Sequence, residues 1–496
     1  MVAAVSGGIL HLAFPWPGWD LLGWVALAPV LALAATARRP GAAFGEGFVA
    51  GLAFDVLLLR WLVHTMSTYS SMPRAAAALV VLGLAGYLAL WWGAVAWAVA
   101  WLRGRLGPGA LWLAPALWVA AELARTRLLS GFPWGLLGYV PYRRLALIQI
   151  AAWTGVYGVS AALVVVNAAV AWALVERRGR AVAVAAAATV VTVGGLWGVG
   201  QAWLGQAAGP TVPIAVVQGN IAQDVKWDAA FRAETLRIYE ELTRGAAPGA
   251  RLVVWPEAAV PAYLRFDPAI LPWLTDLAGA TGVPLLVGAP DARPEGSRLA
   301  YLNSAFYLGP EGLRGRYDKM HLVPFGEYVP LRRLLFFVEA IAAEIGDFTP
   351  GRGPVIFPLE GAPFGTVICY EVIFPDLFRR FVGEGASFMT NITNDAWFGD
   401  SGGPRQHLAM VPLRAVENGV AVVRAANTGI SAFVAPSGAI EATLPLGWRG
   451  TLTRAVPLRR RATFYTRFGD VFAFACVAVT AAALAGPWAG AAGRAA

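Results

Sequence analysis

Long apolar runs almost free of charge fill the first 209 positions and return once near the end, while the stretch between them breaks into short runs interspersed with polar residues. A bilayer core is about 30 Å thick, so a spanning helix needs about 20 mainly apolar residues. The runs at 21–37, 43–63, 75–102, 145–175 and 181–204 read as spans. Two weaker runs, 2–14 and 110–123, are respectively short and interrupted by Pro115 and Glu122, and an eighth run at 471–489 follows the polar stretch. The pattern predicts a membrane protein of about eight transmembrane helices: a helical domain over 1–209 with about seven, and a last helix with a tail over 463–496. No Lys or Arg precedes the first run and no convincing cleavage sequence follows it directly, so it reads as a retained helix and not a signal peptide.

Between them, 210–462 alternates β-rich runs with amphipathic helical patterns. Strands are expected at 211–218, 251–255, 284–288, 304–308, 365–369, 387–391, 420–424 and 431–435. One helix is signalled after Asp228, with Phe231, Leu236, Tyr239 and Leu242 mostly on one side, and another by Asp267 and Pro268. Strands alternating with helices predict an α/β layered domain.

Composition agrees with this division. Of 496 residues 58% are hydrophobic and only 14% charged, too apolar for an ordinary soluble enzyme of this size, and most Asp and Glu lie between 218 and 441. The net charge of +9 does not indicate nucleic acid, because many basic residues outside the polar stretch fall in short clusters beside apolar runs, as cytoplasmic anchors do. With the N-terminus in the cytoplasm, the loops carrying Arg38 and Arg39, Arg103 and Arg105, and Arg177, Arg178 and Arg180 all lie inside, and seven crossings leave the polar domain outside. The loop 125–144, with four arginines, runs against that rule. Asp55, Arg60 and Glu122 lie within or beside apolar runs, where an ionisable group is a functional candidate by default; pairing or reaching water is the ordinary alternative, and the residues alone leave both open.

Two cysteines, Cys369 in the polar domain and Cys476 in the last apolar run, cannot build a disulfide framework. Three reactive side chains stand just beyond β-type runs, where α/β folds collect their chemistry: Glu257 in Trp-Pro-Glu, Lys319 in Tyr-Asp-Lys-Met-His and Cys369 in Val-Ile-Cys-Tyr-Glu. A free cysteine is often only a small buried hydrophobe, Lys319 has a surface pair with Asp318 as its bland reading, and Glu257 a helix cap. A thiol becomes a good nucleophile beside a cation or a base, and Lys319 and Glu257 supply both. The histidines at 11, 64, 321 and 407 lack metal-site spacing, and phosphate-loop and dinucleotide glycine patterns are missing, so neither metal nor cofactor is expected.

Trp-Pro-Glu, Asp-Lys-Met-His-Leu-Val-Pro-Phe-Gly-Glu and Ile-Cys-Tyr-Glu, in this order in one α/β domain, resemble the nitrilase (carbon-nitrogen hydrolase) superfamily. With helices before and after that domain, the whole chain looks like the apolipoprotein N-acyltransferase family. The resemblance implies an α-β-β-α sandwich with a Glu257, Lys319 and Cys369 triad. It further implies a ping-pong reaction in which Cys369 takes the sn-1 acyl chain of a phospholipid, typically phosphatidylethanolamine, as a thioester. The chain then passes to the α-amine of a diacylglyceryl-cysteine apolipoprotein, the last step of lipoprotein maturation. Glu257 is then the general base, and Lys319 with the backbone N–H of Tyr370 holds the oxyanion. Glu327 orients Lys319 or the amine, Tyr370 and Glu371 shape the nucleophile's turn, and Trp227 lies on a loop near the site. The implied location is the bacterial inner membrane, with the catalytic domain facing the periplasm.

The segments 390–399 and 424–431 read as site walls or as turns satisfying their own backbone. Leu334, Leu335, Phe336, Phe337 and Val338, within 331–348, form an apolar cluster that reads as an arm dipping into lipid, or as core. The main rival function is a membrane-tethered nitrilase-type amidase that hands its acyl group to water; it shares the triad and differs in needing no membrane scaffold. A non-catalytic receptor or transporter with a degenerate domain predicts a broken triad, which this chain does not have.

Overall fold

The computed structural model describes residues 1–14, 18–70, 72–204, 209–296, 298–328, 348–459 and 462–486. The apolar cluster around Phe336 therefore lies outside the described residues. The chain divides into two compact units: 1–63, 74–206 and 468–496 form one, and 64–73 with 207–467 the other. The division places the segment 64–73, from between two apolar helices, in the polar unit.

The first unit is helical. Among the described residues, Pro40–Leu59, Arg74–Ser130, Val156–Glu176 and Gly179–Leu204 are long and apolar enough to cross a membrane. The runs at 2–14, 21–37 and 471–489 appear as shorter apolar helices, Val2–Leu12, Asp20–Thr36 and Val471–Ala485, and the single span expected at 145–175 is broken at Gly155, whose φ of 65° is left-handed, into Leu145–Thr154 and Val156–Glu176. The expected runs 75–102 and 110–123 are joined, the helix Arg74–Leu106 continuing through a 3-10 segment into Ala114–Arg127. Small residues let helices approach, since a Cβ on Gly47 or Gly51 would meet Trp92 or Ala96 atoms at 2.6 Å. Asn167 is buried and holds the start of Ala28–Thr36, its Oδ1 accepting from Leu27 N and Ala28 N at 2.9 Å each.

The ionisable residues of this unit separate. Asp55 and Glu122 are buried, and Arg60 is exposed. Glu122 Oε1 accepts from Trp118 Nε1 and Leu137 N, each at 2.9 Å, which is a structural role. The four arginines of 125–144 are also largely engaged: Arg127 pairs with Asp470, Arg144 with Asp20, and Arg125 donates to the Trp134 carbonyl at 2.8 Å.

The second unit is an α-β-β-α sandwich. Its strands are β1 (Thr211–Gln218), β2 (Leu252–Val254), β3 (Leu285–Glu295), β4 (Arg298–Gly309), β5 (Gly312–Asp318), β6 (Ile356–Phe357), β7 (Phe364–Ile368), β8 (Phe388–Thr393), β9 (Val422–Ala426), β10 (Ser431–Val434), β11 (Ile440–Leu444) and β12 (Gly450–Pro457). They form two six-stranded sheets, in the orders β12-β1-β2-β3-β4-β5 and β11-β10-β9-β8-β7-β6. In each sheet three neighbours run parallel, β1, β2 and β3 in one and β7, β8 and β9 in the other. The outer face of the first sheet is covered by the helices Arg232–Ala246 and Ile270–Thr281, which meet it through Tyr239, Leu274, Leu277, Val253 and Trp255. Pro375–Gly383 and Gly403–Asn418 follow β7 and β8 in the second. The sheets face each other through rings, Tyr307 of β4 lying 5.5 Å from both Phe357 of β6 and Phe364 of β7.

Every expected strand is present, though β3 runs to Glu295, past the expected 284–288, and β4 begins at Arg298, before the expected 304–308. Unpredicted are β5, β6, β11 and β12, and the helix Gly403–Asn418, whose sequence mixes apolar residues with Arg405, Gln406, His407, Arg414, Glu417 and Asn418 though it is buried nearly throughout. Asp228 caps as expected, accepting from Ala230 N at 2.9 Å, but a 3-10 turn precedes the helix at Arg232.

Candidate active site

Glu257 follows β2, at the carboxyl end of the parallel strands. The Trp-Pro before it is fixed: Trp255 is fully buried, donates from Nε1 to Thr243 Oγ1 at 2.9 Å and stacks on Tyr239 at 4.8 Å. The chain here presses on β3, where a Cβ on Gly288 would lie 2.4 Å from the Pro256 carbonyl oxygen. Ala258, directly after Glu257, has a left-handed φ of 47°.

Lys319 leaves β5 with its N–H on the Asn303 carbonyl at 2.8 Å. Its buried Nζ lies 2.9 Å from Glu327 Oε1 and 3.4 Å from Glu257 Oε1, and Asn303 Nδ2 donates to the same two oxygens at 2.8 Å each. The other oxygens take backbone donors: Asn394 N reaches Glu257 Oε2 at 2.9 Å, and Val323 N reaches Glu327 Oε2 at 2.8 Å. Burial opposes the Lys319 ammonium, but the Glu327 and Glu257 carboxylates outweigh it and hold the lysine above its ordinary range. Lys226, also buried, donates to the Glu257 carbonyl at 3.3 Å; burial brings it down to about 8 despite the nearby Glu257.

Cys369 comes immediately after β7 and has a left-handed φ of 52°, strain of about 1–3 kcal/mol that persists only where surroundings enforce it. Glu371 does much of the enforcing. Its Oε2 accepts from Ile368 N at 2.7 Å, and its Oε1 from Tyr317 Oη and Met320 N at 2.7 Å and His321 N at 3.0 Å. One carboxyl thereby ties the cysteine's turn to the chain leaving Lys319. Pro375 then opens the next helix, at a first-turn position where its missing N–H costs nothing. Burial and the Glu257 charge push the Cys369 thiol up, against Lys319, so the resting group is a neutral thiol in the field of a carboxylate.

A second buried network lies on the other side of the turn. Arg424 donates to Asp395 Oδ2 at 2.7 Å and also bonds Asn391 Oδ1; Asp395 Oδ1 lies 3.0 Å from His407 Nδ1; and His407 Nε2 lies 3.2 Å from the Cys369 carbonyl oxygen. Burial alone would raise Asp395, but Arg424 and His407 reverse this and hold its carboxyl well below the usual range.

Glu257, Lys319, Glu327, Cys369 and Glu371 are thus brought together, with Tyr370 buried beside them. Trp227 is 52% exposed, and it is its neighbour Lys226 that reaches Glu257. Segment 390–399 contributes the Asn394 N–H to Glu257, and 424–431 contributes Arg424 and Asn427, the latter bonding Asn394 Oδ1 at 3.0 Å. Asn303, Lys226 and His407 carry no motif of their own and no sequence signal marks them for this site, whereas Asp395 falls within the wall expected at 390–399.

Residues 213–465 match the carbon-nitrogen hydrolase family, and residues 6–169 match the apolipoprotein N-acyltransferase N-terminal domain. The chain is 42% identical to the apolipoprotein N-acyltransferase of Geobacter metallireducens, covering 96% of this chain and 93% of that protein. It is 36% identical to the one from Methylococcus capsulatus, covering 95% and 92%. Among solved structures, an amidase from Nesterenkonia sp. is similar at 22% identity and a TM-score of 0.37, over 51% of this chain and 92% of that one.

Proposed function

The chain belongs to the apolipoprotein N-acyltransferase family, and from that premise we propose that it moves the sn-1 acyl chain of a phospholipid, typically phosphatidylethanolamine, to the N-terminal amine of a diacylglyceryl-cysteine lipoprotein. The observation that carries the reading is the shared Glu257–Lys319–Glu327 ion cluster beside the strained Cys369 turn.

In the first step Cys369 Sγ attacks the ester carbonyl and its proton passes to Glu257. The S–C bond forms, the ester C–O bond breaks, and the lysophospholipid oxygen leaves with that proton. A raised thiol pKa suits this order, because the proton leaves only as the bond forms. Lys319, held charged, and the Tyr370 N–H face the oxyanion; one such donor is worth about 2.7–4 kcal/mol in other enzymes. In the second step the lipoprotein amine attacks the thioester, Glu257 takes an amine proton, the S–C bond breaks, and the sulfur leaves as the restored thiol. Glu327, sharing Asn303 with Glu257, keeps Lys319 in place while Glu257 changes charge. The setting that fits these substrates is the bacterial inner membrane with this domain on the periplasmic side, supported by the basic loops at Arg38, Arg103 and Arg177.

Mass spectrometry after incubation with phospholipid alone tests the reading. An acyl adduct on Cys369 that a diacylated lipopeptide discharges as an amide is expected, and Cys369→Ser should not form the thioester. Discharge to water at the same rate with no amide would make the protein a hydrolase.

A further inference from the structure

His407 lies outside every motif, yet it is fully buried and its Nε2 is 3.2 Å from the carbonyl oxygen of the nucleophile itself. A carbonyl oxygen only accepts, so Nε2 carries a proton whether the ring is neutral or charged. The Nδ1 side serves both states. Arg424 lies 3.0 Å from Nδ1 and donates to it when it has a lone pair, while Asp395 Oδ1, also at 3.0 Å, accepts when it has a proton. Asn391 Nδ2 donates to the same Cys369 carbonyl at 3.5 Å, and Arg424 anchors Asn391 through its Oδ1. Two donors, both tethered to one buried arginine, therefore converge on one backbone oxygen.

The Cys369 carbonyl and the Tyr370 N–H belong to the same peptide group, which is planar and conjugated. Donors placed on its oxygen draw electron density from its nitrogen and make the N–H a stronger donor, the cooperative effect seen along hydrogen-bonded chains. We propose that His407 is a positioning residue of this enzyme. Through the Cys369 carbonyl it orients and polarises the peptide whose N–H stabilises the oxyanion, with Asp395 and Arg424 holding its ring. This rests on the reading of Cys369 as the acylated nucleophile and of the Tyr370 N–H as an oxyanion donor. It assigns the buried polar content of the helix Gly403–Asn418 a part in the reaction, beyond packing.

The test separates polarisation from mere support of the turn by using two reactions of the same thiol in the full-length protein. Acylation by an ester builds an oxyanion; alkylation by iodoacetamide does not. For His407→Leu, single-turnover acylation of Cys369 should fall about tenfold or more, since a directly placed oxyanion donor is worth about 100- to 1,000-fold. The donor concentration giving half-maximal rate should stay unchanged, as should alkylation of the Cys369 peptide, followed by mass spectrometry. His407→Gln, whose amide reaches the Nε2 position, should recover most of the acylation rate, and His407→Asn, too short to reach it, should not. If His407→Leu does not fold, the Gln and Asn variants carry the same contrast. Equal losses in acylation and alkylation, or equal acylation by the Gln and Asn variants, would overturn the proposal. Running each arm with both phospholipid and a short soluble ester keeps the two readings apart. A wild type acylated only by the short ester sinks the phospholipid-donor reading and leaves the His407 comparison readable. A wild type acylated by neither overturns both.

Discussion

At the scale of single residues, Glu371 combines a structural and a chemical demand. Four donors converge on its two oxygens, an arrangement suited to a carboxylate, while burial pushes its carboxyl up to about 7. The two consequences have opposite signs. Because folding raises this pKa, the group's contribution to stability is full below its unfolded value of about 4.3 and is lost as pH rises through about 7. The clamp on the Cys369 turn, by contrast, needs the charged form, so acylation of Cys369 should rise with pH through about 7. Glu371→Gln should abolish that rise, because its amide no longer titrates, and lower the rate at all pH values. It leaves at least one buried donor facing an NH2 group, at a cost of about 1–3 kcal/mol. A pH–rate profile of thioester formation checks both; a rise that persists in the variant would assign it to another group.

At the scale of elements, the site depends on how closely β3 approaches the turn that follows the carboxyl end of its parallel neighbour β2. Gly288 in β3 is where a methyl group has no room, since its Cβ would stand 2.4 Å from the Pro256 oxygen and 2.7 Å from Glu257 Cα. Those obstacles are backbone, so Gly288→Ala has to shift either β3 or the turn holding Glu257. A loss of about 1–3 kcal/mol is expected from overpacking. The fall in acylation should be larger than this stability loss suggests, since a misplacement of about 1 Å can cost about 100-fold. Thermal melting alongside single-turnover acylation tests this, and a normal rate in a destabilised variant would show that the turn does not move with Glu257. The segment 64–73 acts at the same scale: Thr65 Oγ1 donates to the Trp397 carbonyl at 2.8 Å and Tyr69 Oη to that of Ala396 at 3.1 Å, just beyond the Asn394 N–H that holds Glu257.

For the whole molecule, the prediction concerns which side of a membrane each unit's loops occupy. Arg38→Cys and Pro210→Cys, each in a Cys369→Ala, Cys476→Ala background, should differ towards an impermeant thiol reagent applied to intact cells with a permeable outer envelope: the cysteine at 210 reacts and the one at 38 does not. Equal labelling would overturn the orientation read from the basic loops. Arg127→Ala, removing an ion-pair partner of buried Asp470, should weaken the docking of Val471–Ala485 without changing that labelling.

Much of this protein was legible along the chain. The apolar runs are long because lipid satisfies no backbone group, so the membrane unit is written as composition. The core strands are β-branched runs, and Glu257, Lys319, Cys369, Glu327 and Glu371 sit in short turns whose Pro, Gly and aromatic content is local. Trp-Pro-Glu and Ile-Cys-Tyr-Glu could be read before any contact was known. What tertiary structure alone decided is the company those residues keep. Asn303 sits in an ordinary strand, Lys226 in a turn beside a more conspicuous tryptophan, and His407 on a helix of mixed composition that is buried nearly throughout. Their partners stand between 12 and 46 positions away. A sequence records what a side chain is, and periodicity records which face it shares with its near neighbours. Which distant donor fills a buried oxygen depends on how two sheets and their helices close over it.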